Sequence, residues 1–328
     1  MDCEPYPDLP HPALTSSWRR PVGEDFLGGV EVVEVIKATN DELEYIVAPK
    51  HVATRGDTLN CESLPIKEAD EIAALLTVNI SSPMDDVLKV TLEHHRGQVD
   101  NGPNFELFPN GAPTKPKTTI DTSNKDSLKF NSGSLSVAVN TTEYSYGLEF
   151  TDSANPSPFL CNVKPKGQAV VDLPFHYTLG SMSETSCMST LHSAMPVQAH
   201  TSSGQRTSGG WVRFMLNEMS LSVNENIYGL GERFGPFIKN GQNVGMWNAD
   251  GGTSSEQAYK NVPFYLSSRG YGVFVNHPEE VEFEVGREKC SRLGISVRGE
   301  KLEYFVFGGG SMKAVSSNLE GRGLIVGS

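Results

Sequence analysis

The sequence has 328 residues and a formal charge of -13, with a pI near 5.1, which leaves room for one large or two ordinary domains, each with its own core. An acidic balance without a basic stripe argues against nucleic acid as a partner, because affinity for a phosphate backbone comes from Lys and Arg releasing counterions. With 38% hydrophobic and 20% charged residues, 32 Gly and 20 Pro, the composition is that of a folded, turn-rich β protein rather than a disordered chain.

The chain opens on MDCEPYPDLPHPALTSSWRR, which is acidic and proline-rich where a secretory leader would be basic and then apolar. A cytoplasmic location is therefore expected. Val30 to Ile36 and Leu43 to Ala48, joined through Asn40-Asp41, are rich in β-branched residues and read as a hairpin. A short helix is possible near Lys67 to Ala74. Ile72 to Ile80 and Val87 to Leu92 repeat the strand pattern across a turn placed at Ser81-Ser82-Pro83, and Leu128 to Phe130, Ser134 to Val139 and Tyr146 to Thr151 continue it. Residues 164–210 turn Ser/Thr/Gly-rich and are read as a surface insertion loop. Strand signals return at Trp211 to Leu216, Met219 to Val223, Pro263 to Leu266, Tyr271 to Val275, Val281 to Val285, Ile295 to Val297 and Leu302 to Phe307. Short strands at such intervals indicate an antiparallel sandwich or barrel. Residues 311–328 are small and polar and read as a divergent, disordered tail. Along the whole chain, no apolar run approaches the roughly 20 residues that a membrane helix needs, so no membrane partner is expected.

A search for chemistry by spacing returns little. GxSxG and HExxH are absent, and His94-His95 would point to opposite faces of a strand, so no metal site is expected. The five cysteines, Cys3, Cys61, Cys161, Cys187 and Cys290, are widely spaced without CxxC and read as reduced structural thiols. Gly229-Leu230-Gly231-Glu232-Arg233-Phe234-Gly235 has the wrong final spacing for a dinucleotide loop, and Pro236 stands where a helix would open. No cofactor is expected; Glu232 and Arg233 are read as fixing a glycine-permitted bend. The densest aromatic and polar stretch is Gly241 to Tyr265, GQNVGMWNADGGTSSEQAYKNVPFY. Sugar recognition pairs an aromatic face with the apolar side of the ring, and amides or carboxylates with its hydroxyls. Trp247, Asn248, Asp250, Gln257 and Tyr259 offer both kinds of group, although a long polar loop with one Trp is more often structural.

The segment YGLGERFGPFIKNGQNVGMWNADGGTSSEQAYKNVPFYLSSRGYGVFVNHP, Tyr228 to Pro278, resembles the amino-terminal region of glycoside hydrolase family 31, and within it the bacterial and fungal α-xylosidases. The likeness continues through Val281 to Val285 and Leu302 to Phe307, and reaches back to Val30 to Ala48 and Val99 to Leu107. It implies an all-β fold, a large antiparallel β-sandwich of the galactose-mutarotase-like type over residues 1–310, with 164–210 as its insertion and the family's (β/α)8 barrel missing. The family's retaining mechanism uses two aspartates about 5 to 5.5 Å apart. Both belong to the barrel, so no catalytic residue is assigned in this sequence. A sandwich loop helps to shape the sugar site on the leaving-group side in the family, and the matching positions here make Asp250 the expected substrate contact, with Trp247 and Asn248 beside it. Family members continue from the strand matching Leu302 to Phe307 into a helix; the ending SSNLEGRGLIVGS departs from that pattern and suggests a truncated product, a splice form or a gene-model error.

Three functions are compatible with this reading. The first is the carbohydrate-binding sandwich of a family 31 α-xylosidase or α-glucosidase, inactive alone, with α-xylosides or α-glucosides as ligands. The second is a stand-alone carbohydrate-binding or regulatory module that pairs with a full-length homologue through its barrel-facing surface. Mutarotase-like catalysis is suggested by the fold alone, and fold does not carry function.

Overall fold

The structure is a computed structural model and describes residues 26–51, 76–93, 115–142, 145–153, 155–162, 168–178, 200–202, 205–248, 260–278, 280–287, 290–298 and 300–321. The helix expected near Lys67 to Ala74, the Val99 to Leu107 segment, the His94-His95 pair, Asp250 and residues 322–328 lie outside the described residues.

In chain order the strands are β1 (Phe26–Ala38), β2 (Glu42–His51), β3 (Leu76–Met84), β4 (Val87–Glu93), β5 (Thr118–Asp121), β6 (Ser127–Ser132), β7 (Leu135–Asn140), β8 (Gly147–Asp152), β9 (Asn155–Cys161) and β10 (Gln168–Thr178). They continue as β11 (His200–Ser202), β12 (Gln205–Ser220), β13 (Ile227–Gly229), β14 (Gln242–Met246), β15 (Phe264–Ser267), β16 (Gly272–Val275), β17 (Val281–Val285), β18 (Arg292–Arg298) and β19 (Lys301–Phe307), followed by the helix α1 (Met312–Gly321). The large sheet runs β13-β15-β16-β19-β4-β3-β2-β1-β10-β12-β18-β17-β14, with β11 beside β12, and the smaller runs β5 to β9 in order. Neighbouring strands pair antiparallel, as in β3 on β4 and β7 on β8.

The alternation that marks a half-buried strand holds residue by residue. In β7, Leu135, Val137 and Val139 are buried while Ser136, Ala138 and Asn140 are partly open, and β3 alternates likewise from Leu76 to Ile80. These faces meet in one core, where Val78, Ile80, Val90 and Tyr304 of the large sheet join Phe130, Val137, Leu148 and Phe150 of the small one. Each such side chain, fully buried, stabilises the fold by about 1.5–3 kcal/mol. The chain is therefore an antiparallel β-sandwich, as its sequence indicates.

Polar pins hold the layers in register. Asp86, at φ +66° in the β3–β4 turn, accepts hydrogen bonds from the Ser134 amide at 2.6 Å and the Ser134 hydroxyl at 2.7 Å, which ties that turn to the β6–β7 turn. The hydroxyls of Tyr45 and Tyr146 meet at 3.2 Å across the core; burial pushes both phenols well above their ordinary range.

Several elements differ from their sequence-based expectations. The turn after β3 falls at Asp85-Asp86, and Ser82-Pro83 lies inside the strand at a register break between Ser81 and Met84; a bulge tolerates a proline, which has no amide hydrogen to donate. The span 164–210 is not loop throughout: β10 pairs with β12 from Gln168↔Asn217 to Thr178↔Thr207, and Ala169, Val171, Leu173, Phe175 and Tyr177 carry the period of two that composition concealed. Trp211 to Leu216 and Met219 to Val223 are not separate strands. β12 runs through Asn217-Glu218 because β18 takes over pairing from Phe214 to Ser220.

The expected disordered tail is in its first part a helix. The Ser311 hydroxyl caps it by accepting from the Ala314 amide at 3.2 Å. Val315 is fully buried on Met84, Val87, Phe264, Phe274, Phe305 and Phe307, which form a second cluster apart from the main core. That cluster gives the helix a reason to form that its own composition does not supply.

Candidate functional site

The candidate site lies where the two ends of the large sheet's strand order, the bend after β13 and the end of β14, are brought together. After β13, Gly229, Leu230 and Gly231 take φ of +100°, +67° and +79° in succession. A β-carbon on Gly229 would lie 2.8 Å from the Phe264 carbonyl oxygen, and one on Gly231 would lie 2.4 Å from that of Lys260. Leu230 is fully buried and anchors the bend. Its amide donates to the Phe264 carbonyl at 2.9 Å, and the Glu232 amide to that of Lys260 at 3.1 Å.

The loop that follows is pinned from several sides while presenting apolar groups outward. The Asn240 carboxamide accepts from the Ile227 amide at 2.9 Å and donates to the Glu225 carbonyl at 2.8 Å. Gln242 Nε2 donates to the Ile238 carbonyl at 2.7 Å. Lys239 is buried, its ammonium donating to the Pro236 carbonyl at 3.0 Å; burial, and then the neighbouring Arg233 guanidinium, hold its pKa below the usual lysine range. Phe234, Phe237 and Ile238 remain exposed, with the Phe237 ring 5.3 Å from that of Tyr228.

Trp247 follows directly on β14 and is 48% exposed. Asn248, also exposed, accepts at Oδ1 from Asn261 Nδ2 at 2.9 Å. Trp247 and Asn248, two of the three expected sugar contacts, are thus consecutive exposed residues just after β14, and Asp250 lies outside the described residues. With its Oδ1 engaged, Asn248 can still offer a ligand the donors of its amide group. An open indole beside an amide suits a sugar ring, which has an apolar face and a rim of hydroxyls.

Arg233 makes more contacts than the sequence suggested. Its Nε donates to the Leu230 carbonyl at 3.2 Å, and its Nη2 to the Gly245 carbonyl at 2.5 Å and to Asn261 Oδ1, with Met246 Sδ at 3.5 Å. Glu232 faces away from this network and pairs with Lys260 at 2.7 Å, both well exposed, an arrangement of little energetic weight. Sequence reasoning missed Asn261, whose role depends on two loops meeting, and Phe237, whose exposure no spacing rule reveals.

Among the described residues of 228–248 and 260–262, Glu232 is the one carboxylate. Retaining glycoside hydrolysis needs two, about 5 to 5.5 Å apart. Among these described residues no second carboxylate stands beside Glu232 to make such a pair.

Residues 77–284 match the model of the glycosyl hydrolase 31 N-terminal galactose mutarotase-like domain. The chain is 36% identical over 294 residues to an α-xylosidase of Emericella nidulans, covering 89% of this chain and 32% of that protein. It is 34% identical over 264 residues to the α-xylosidase XylQ of Lactiplantibacillus pentosus, covering 80% and 27% respectively. In fold it is similar to a Flavobacterium johnsoniae GH31 dextranase complexed with isomaltotriose, with a TM-score of 0.59 at 16% identity, over 91% of this chain and 28% of that one. The chain spans about a third of the length of the curated relatives it matches.

Proposed function

The chain belongs to the glycosyl hydrolase 31 N-terminal galactose mutarotase-like domain family, and on that premise we propose that it is the sugar-facing sandwich of an α-xylosidase-like protein, binding terminal α-xylosyl or α-glucosyl groups without cleaving them by itself. The observation that carries this reading is the exposed Trp247 beside Asn248, set on a strand end held by Arg233 and Asn261. Identity above 30% to two α-xylosidases supports xylosides as the ligand class. Asp250 completes the contact set as an acceptor for sugar hydroxyls.

In this reading, hydrolysis belongs to residues that do not lie on this face. Glu232, tied to Lys260 and exposed, does not occupy the secluded site that a general acid requires. Exposed Phe234, Phe237 and Ile238 favour a second surface packing here; we assign that surface to the remainder of a family 31 protein, in the same chain or in a full-length homologue. The test is incubation of the purified chain with 4-nitrophenyl α-xyloside and α-glucoside. No nitrophenol release above background is expected, and turnover abolished by a substitution within this chain would overturn the proposal.

A further inference from the structure

We propose that Arg233 is the positioning residue of the sugar-facing loop, its guanidinium fixing the strand end that carries Trp247 and, through Asn261, the carboxamide of Asn248. What the loop binds rests on the reading given above; how it is held does not.

The argument begins at the sheet margin. β14 is the last strand in the order of the large sheet and pairs on one side with β17. Such an edge leaves backbone groups without strand partners. Arg233 takes part of the place a further strand would occupy, donating to the Gly245 carbonyl at 2.5 Å, two residues before Trp247. The same guanidinium holds the Leu230 carbonyl at 3.2 Å, and so references the strand end to the glycine bend, which is itself pressed on the backbone of Lys260 and Phe264.

A third link passes through Asn261, which accepts from Arg233 and donates to Asn248 at 2.9 Å. One planar group therefore joins the 230 bend, the end of β14 and the 261 segment. Three acceptors in different directions match the rigid fork of a guanidinium and not the point charge of an ammonium. If Arg233 served the bend alone, the bond to Leu230 would suffice, and the contacts to Gly245 and Asn261 would have no part to play.

The experiment uses the 328-residue chain labelled with 15N. The Trp247 indole resonance is assigned by its loss in Trp247→Phe, and the Asn248 side-chain amide by its loss in Asn248→Ala. In Arg233→Lys, the Trp247 indole resonance is expected to shift and acrylamide quenching of its fluorescence to rise, while the other two Trp resonances stay in place. Asn261→Ala is expected to shift the Asn248 amide, and it decides the matter if Arg233→Lys does not fold. Folded variants that melt lower yet leave both resonances unmoved would overturn the proposal and return Arg233 to a purely structural role at the bend. These spectra need no sugar. A chain that shows the shifts but does not respond to an α-xyloside would uphold the positioning role while removing the sugar reading.

Discussion

Gly231 lies so close to Lys260 that a β-carbon on it would sit 2.4 Å from the Lys260 carbonyl oxygen, while its backbone holds φ at +79°. Two independent constraints therefore exclude any side chain there. An L residue in the left-handed region costs about 1–2 kcal/mol, and the neighbour that would have to yield is backbone, which is itself hydrogen-bonded to the Glu232 amide. Gly231→Ala is expected to lower stability by about 3 kcal/mol or more, beyond the usual range for a small substitution. Thermal melting followed by circular dichroism measures it; a change within about 0.5 kcal/mol, the level of an unconstrained surface site, would contradict the geometry.

Val315 is the side chain by which α1 covers the outer aromatic cluster. Val315→Ala removes two buried methyl groups and is expected to cost about 2 kcal/mol. Val315→Asp places a charge against Phe264 and Phe307 and is expected to release the helix, seen as a rise in binding of a hydrophobic dye. Wild-type dye response in the Asp variant would show that the helix does not seal this face.

The buried phenols set the alkaline limit of the fold. Tyr45, Tyr265 and Tyr271 are raised well above the ordinary value chiefly by burial, and Tyr146 rises for the same reason. A phenol whose folded pKa exceeds its unfolded value of about 10 keeps its proton in the folded state while the unfolded chain gives it up. Stability contributed by these groups is fully present below about pH 10 and falls as the pH rises beyond it. Absorbance at tyrosinate wavelengths should show the folded chain ionising at least four fewer than its ten tyrosines at about pH 11, with the rest appearing only on unfolding. Reversible titration of all ten without unfolding would contradict the buried placement.

Much of the sandwich was legible because a half-buried strand writes its period into the sequence. Leu135, Val137 and Val139 alternate with smaller or polar residues, and Val281 to Val285 was bounded correctly. What stayed hidden depended on partners. β9 carries two prolines, which are excluded from a central strand, yet it lies at the edge of the small sheet, where a missing donor is tolerated. β10 was hidden by the Ser/Thr-rich composition around it, and α1 by its shortness and by the small polar residues between Met312, Val315 and Leu319. Of the candidate site, residue type picked out five candidates, Trp247, Asn248, Asp250, Gln257 and Tyr259, and the family resemblance narrowed them to Asp250, Trp247 and Asn248. The link from Arg233 through Asn261 required the fold, because it joins residues 28 positions apart.

On the proposed function, the surface bearing Trp247 meets an α-xylosyl group. The most direct test is titration of the 15N-labelled chain with an α-xylosyl-(1→6)-glucose disaccharide, following the Trp247 indole resonance. A single wall of a pocket is expected to bind in the millimolar range, about -4 kcal/mol. A saturable shift of that resonance alone among the three Trp is expected, lost in Asp250→Ala. An unmoved Trp247 resonance at about 50 mM sugar, more than tenfold above the expected dissociation constant, would contradict it.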